Sequence, residues 1–209
     1  MGESTDLAEE QQRALERLRA VRALDDYYLA GGSAVAYHLH HRRSRDIDLF
    51  SMHGGADLDR VAEAVTATGA DTRVISRSDV ALKLVVCGAA VDIVNYAYAP
   101  LEPPGASPLG FPVAGLLDLA TMKLAAITRR GLRRDFWDLH EILDAGHTLV
   151  AAGAAYVRRF GATEADLYHV MRALTYFDDA ERDPFPEGLG AARWKDIRTY
   201  FVRAAPGLL

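Results

Sequence analysis

Residues 101–112 read LEPPGASPLGFP, and a segment with four prolines and two glycines can continue neither a helix nor a central strand. The 209-residue chain is therefore expected to form two lobes, 1–105 and 106–209, within the usual size range of small domains. Upstream of the break the runs are short and mostly β-type. Downstream, every run has helical length and spacing.

In the first lobe, apolar residues of 7–24 recur at three- and four-residue spacings amid Glu and Arg, which predicts a surface helix. Residues 27–30 have strand character and stop at Gly31-Gly32. Ser33 then stands near the N-cap of a short helix over 33–41. A strand over 46–50 and a helix over 56–68 follow, the latter with Asp57 and Asp59 favouring its positive end. Strands are predicted at 72–76, 81–86 and 90–96, the last two joined by a tight turn at Gly88. Beyond the proline segment, helices are predicted over 113–127, 133–145, 149–160, 164–180 and 191–204, punctuated by Gly131, Gly146, Gly161 and DPFPEG. The expected fold class is an α/β lobe with a small mixed sheet, followed by an all-helical lobe.

A hydrophobic content of 50% with 25% charged residues marks a globular chain. The start, MGESTDLAEE, has no basic segment leading into an apolar one, and no apolar run approaches the ~20 residues that span a bilayer. No membrane partner and a cytoplasmic location are expected. The single cysteine, Cys87, excludes an intramolecular disulfide and a multi-cysteine zinc site; within LVVCG it is expected to be a buried strand residue. With a net charge of −5, a polyanion must be met by local clusters, namely Arg42, Arg43 and Arg45 or Arg129, Arg130, Arg133 and Arg134.

Side chains alternate along a strand, so Asp46 and Asp48 share one face while Ile47 and Leu49 point to the core. Two such carboxylates repel unless a cation lies between them, and Mg²⁺ accepts carboxylate oxygens together with substrate phosphates. Gly31 and Gly32 allow close backbone approach, and the helix opened by Ser33 offers free N–H groups to an anion. A third acid, Asp92, interrupts an apolar strand and needs a partner. It either faces water on an edge strand or joins the first two as a metal ligand and as the base toward an attacking hydroxyl. Lys123 lies on an apolar helix from which it could extend to water. Asp135 and Asp138 share a helix face within reach of the arginines. His38, His40 and His41 lack the partners of a zinc site, and Trp137, Tyr176 and Phe177 have the spacing of core aromatics.

The run LAGGSAVAYHLHHRRSRDIDLF resembles the signature of DNA polymerase β-like nucleotidyltransferases, and MKLAAITRRGLRRDFWDLHEIL resembles a second signature, that of the AbiEii/AbiGii toxin family. The resemblance implies a polymerase β-like catalytic lobe with Mg²⁺ on Asp46 and Asp48. It implies that Gly32 and Ser33 bind a nucleoside triphosphate, that Lys123 contacts its phosphates, and that Asp135 has a supporting or catalytic role. It further implies an RNA acceptor, in particular the tRNA 3′ end, and an antitoxin protein as partner. Two other functions fit the same residues. One is a nucleotidyltransferase acting on an antibiotic-type small molecule. The other is a non-catalytic nucleotide-binding module, which would have no use for mutually repelling acids.

Overall fold

The computed structural model describes residues 7–69 and 71–209; the first six residues of the predicted 1–105 lobe and Ala70 lie outside them. Two compact units meet between Gly115 and Leu116, later than the predicted division at 105/106. Long-range pairing accounts for the difference. The chain returns after its prolines so that Val113 bridges both Gly105 and Leu29, with Leu29 donating to the Pro112 carbonyl at 2.8 Å. Residues 106–115 thus belong to the first unit.

The first unit holds a five-stranded mixed sheet in the order β1-β2-β5-β4-β3, where β1 is Tyr27–Leu29, β2 Asp46–Ser51, β3 Thr72–Arg77, β4 Ala81–Val86 and β5 Ala89–Val94. β2 and β5 are parallel and every other neighbouring pair is antiparallel. Alternation divides the central strands. Ile47 and Leu49 on β2, Val91 and Ile93 on β5, and Leu82 and Leu84 on β4 are buried, while the intervening residues face the more open side. Helices α1 (Glu9–Leu18) and α3 (Leu58–Thr66) supply Ala14, Leu15 and Leu18, and Leu58, Val61 and Val65, to the same core. The Asp57 carboxylate caps α3 by accepting from the Asp59 and Arg60 amides, as its position at the helix start predicts.

Between α1 and α3 lies α2, Gly31–Leu39, which begins on the glycines rather than after them. Ser33 is consequently inside the first turn and Ala30 is the N-cap residue. Cys87 is also relocated. It is half-buried, and with Gly88 it makes the two-residue turn between β4 and β5, both with positive φ, instead of lying in a strand. Burial pushes its thiol pKa up, and the neighbouring Asp71 adds to the effect.

The second unit is helical throughout: α4 Leu116–Arg129, α5 Arg133–Asp144, α6 Leu149–Phe160, α7 Glu164–Leu174, α8 Asp178–Arg182 and α9 Ala191–Ala204. The continuous helix expected over 164–180 is broken at Thr175, whose hydroxyl turns back to the Arg172 carbonyl. α4 packs against α5, α6 and α7. A buried ion pair, Arg159 to Asp118 at 2.9 Å, fastens α6 to α4, and Arg159 also donates to Thr121. Trp137 is core, and Phe136, Phe177 and Trp194 form tilted and edge-to-face contacts. Among the described residues no helix is long and apolar enough to cross a membrane.

Candidate active site

The open face of the first sheet carries the acids. Asp46 and Asp48 are half-exposed on the same side of β2, with the fully buried Ile47 between them pointing the other way. In the parallel pairing of β2 with β5, Asp48 stands directly opposite Asp92, and Asp46 opposite Ala90. Three carboxylates therefore share one face of two adjacent strands. Asp92 is not at an edge facing water. It lies on a central strand and is partnered by Lys83 of β4, whose Nζ is 2.8 Å from its Oδ2.

The glycine turn sits against this face. Gly32 donates its N–H to Asp48 Oδ2 at 3.1 Å. Gly31 has φ of +58°, and a side chain there would run into the Asp48 carboxylate, so both backbone conformation and space demand glycine. A side chain at Gly32 would press on the end of the Arg42 guanidinium, which can move, and make an ordinary contact with the Ser44 hydroxyl. The Ser33 hydroxyl is fully buried. It donates to the Ala30 carbonyl and accepts the Asp48 N–H at 3.2 Å, tying the start of α2 to β2. Its backbone, rather than its hydroxyl, is what the turn can offer to an anion.

The second unit assembles a different charged group. Lys123 is buried on α4; it does not extend to water. Its Nζ is 2.6 Å from Asp138 Oδ2 and 3.2 Å from Asp135 Oδ1, both carboxylates being fully buried on α5. Arg130 closes on Asp135 with Nε 2.9 Å from Oδ2 and a second guanidinium N–H 3.0 Å from Oδ1. Burial raises the Asp135 pKa, but Lys123 and Arg130 outweigh it and hold the carboxyl below its ordinary value. Asp138 is as closely engaged with Lys123 as Asp135 is; its spacing of three residues from Asp135 was the only signal in the sequence.

Of the seven clustered arginines, Arg133 is buried and committed to Glu181 and Asp183, with its guanidinium over the Phe185 ring at 3.9 Å. It is unavailable to a polyanion. Arg43, Arg45, Arg129 and Arg130 are exposed. His38 bonds the Ala114 carbonyl at 2.8 Å, and His40 ends α2 in a left-handed conformation.

Among the described residues no three His, Cys, Asp or Glu side chains converge as a preformed metal cage. The donor chemistry nonetheless fits a hard divalent cation. The acids on the open face offer carboxylate oxygens alone, and Asp46 and Asp48 are accessible on one side.

Solved structures of similar fold include the nucleotidyltransferase toxin MenT4 of Mycobacterium tuberculosis, with TM-score 0.64 and 16% identity over 98% of this chain and 84% of that one. JHP933 of Helicobacter pylori matches with TM-score 0.55 and 16% identity over 97% and 94% of the two chains. The antibiotic-resistance factor ANT(2'')-Ia matches with TM-score 0.54 and 17% identity over 76% and 95%. In sequence, the uncharacterized protein aq_aa25 of Aquifex aeolicus is 28% identical over 203 residues, covering 94% of this chain and 95% of its own. The model of the family described as nucleotidyl transferase AbiEii toxin, type IV toxin–antitoxin system, matches residues 13–75 and 75–207. The chain belongs to this AbiEii toxin family and is a nucleotidyltransferase.

Proposed function

We propose that the protein moves a nucleoside monophosphate from a nucleoside triphosphate to an acceptor hydroxyl on RNA, in particular the tRNA 3′ end, as the cytoplasmic toxin of a toxin–antitoxin pair. The observation that carries the proposal is the shared face of Asp46, Asp48 and Asp92, with Asp48 and Asp92 directly opposed across parallel strands. Asp46 and Asp48 are the residues to hold Mg²⁺, with Asp92 as a third ligand. When bound, the metal neutralises charge developing on the transferring phosphoryl group.

The chain's own residues supply the rest. The backbone at Gly31, Gly32 and Ser33 receives the triphosphate at the positive end of α2. Asp92 accepts the proton of the attacking hydroxyl, which then adds in line at the α-phosphorus as the bond to pyrophosphate breaks. In the second unit, family resemblance assigns Lys123 to nucleotide phosphate and gives Asp135 a supporting or catalytic role. The buried pairing of Lys123 with Asp138 and Asp135 favours a fixed ammonium over a mobile one. An antitoxin protein is the expected partner.

A small-molecule acceptor is the second reading, since an antibiotic-resistance factor shares the fold. What favours RNA is the exposure of Arg43, Arg45 and Arg129 on a chain of net charge −5. The test is to incubate the protein with Mg²⁺, each α-labelled nucleoside triphosphate and either total RNA or a panel of antibiotic-type small-molecule alcohols. RNA labelling is expected, with acceptor affinity falling as salt rises at a log–log slope of roughly −0.7 to −0.9 per phosphate contacted. Replacing Arg43 and Arg45 with Gln should flatten that slope. Label on the small alcohols alone would replace RNA with the second reading.

A further inference from the structure

Across the middle of the sheet runs one row of charge. Antiparallel pairing sets Lys83 opposite Asp92, and parallel pairing sets Asp92 opposite Asp48, so the order on the open face is ammonium, carboxylate, carboxylate. Of the six residues of β4, ALKLVV, Lys83 alone is charged. Its inward neighbours Leu82 and Leu84 are buried, and its own side chain is 54% exposed with Nζ 2.8 Å from Asp92 Oδ2. At the far end of the row Asp48 is answered by the Gly32 amide at 3.1 Å. Each of the two opposed acids thus has a protein donor.

We infer that Lys83 is a built-in counter-ion that competes with the divalent cation for Asp92, and so sets the metal concentration at which the site fills. The inference rests on the proposed assignment of the acidic face as a metal site. A cation entering beside Asp92 must displace the ammonium from Oδ2 or accept its repulsion at close range. Either way, affinity is lower than the three carboxylates alone would give. The pair is partly exposed, so the penalty is moderate and the latch opens readily. Lys83 acts through Asp92 and is a positioning residue, with no contact to the reacting atoms required of it.

The test is calorimetric titration of the nucleotide-free protein with Mn²⁺, using wild type, Lys83→Met, Lys83→Arg and Asp48→Asn, with thermal melting to verify folding. Lys83→Met should bind Mn²⁺ about five- to tenfold more tightly. Lys83→Arg, which keeps the charge, should stay near wild type, and Asp48→Asn should lose binding. Lys83→Gln serves as the second neutral variant if Met at this exposed position aggregates. Unchanged or weaker Mn²⁺ binding in the neutral variants, with binding still lost in Asp48→Asn, would overturn the role of Lys83 and leave the metal site standing. Failure of both wild type and the neutral variants to bind Mn²⁺ would overturn the metal site and the latch together.

Discussion

The two units handle charge in opposite ways. On the first sheet, Asp46, Asp48 and Asp92 stand half-exposed on one face, with two of them directly opposed. In the second unit, Asp135 and Asp138 are wholly buried, and Lys123 and Arg130 are drawn onto them. Desolvated acids must be paired where they sit, whereas acids left near water can wait for a ligand. Proximity of carboxylates therefore does not by itself identify a metal site. Burial and the supply of protein cations separate a group that holds the fold from one that is open to exchange.

The contrast breaks most visibly at Lys123. Lys123→Met takes from Asp138 its 2.6 Å cation and from Asp135 one of two, so the second unit should lose about 3–5 kcal/mol of stability. Both tryptophans, Trp137 and Trp194, belong to this unit, so urea unfolding followed by tryptophan fluorescence reads the loss where it occurs. A midpoint unchanged from wild type would mean that the buried cluster contributes little.

A smaller effect is expected at Gly31. Gly31→Ala places a side chain in a left-handed conformation, costing about 1–2 kcal/mol. It also pushes on the Asp48 carboxylate, so transfer should fall further than stability. Gly32→Ala, whose one close contact is with the movable end of Arg42, should be milder in both respects. Equal and small effects of the two substitutions on transfer would remove Gly31 from the site.

Acid should sharpen the comparison further. The folded pKa of Asp135 is depressed, so its stabilising contribution is complete above about pH 4, the ordinary carboxylate value, and is lost as pH falls through the lower folded value. His140 adds an earlier loss. Burial and the nearby Arg193 lower its pKa, so the unfolded chain takes up its proton first, and stability begins to fall as pH drops through about 6.5. Tryptophan-monitored stability should consequently decline in two stages on acidification. Lys123→Met should shrink the lower stage and spare the upper one.

Periodicity made much of this visible beforehand. The alternation of DIDLF placed Asp46 and Asp48 together, β4 was delimited at 81–86, and α6 and α9 at 149–160 and 191–204. These are local signals, repeated along one element. The remaining features depend on contacts between distant residues. Val113 joins the first unit because it meets Leu29, the Ser33 hydroxyl is consumed by Ala30 and Asp48, and Lys83 finds Asp92 only once strand register is known. Arg133 shows the same limit. Within TRRGLRRD it is indistinguishable from its neighbours, and only packing against Asp183, Glu181 and Phe185 sets it apart.

The central claim is that the half-exposed acids of the first sheet carry the chemistry. It is tested most directly by measuring transfer from an α-labelled nucleoside triphosphate alongside the unfolding midpoint for Asp48→Asn. Asn can still accept the Gly32 N–H, so the midpoint should stay within about 1 kcal/mol of wild type. Transfer should fall by about 100-fold or more as the carboxylate is lost. Transfer near the wild-type rate in a folded Asp48→Asn protein would contradict the account.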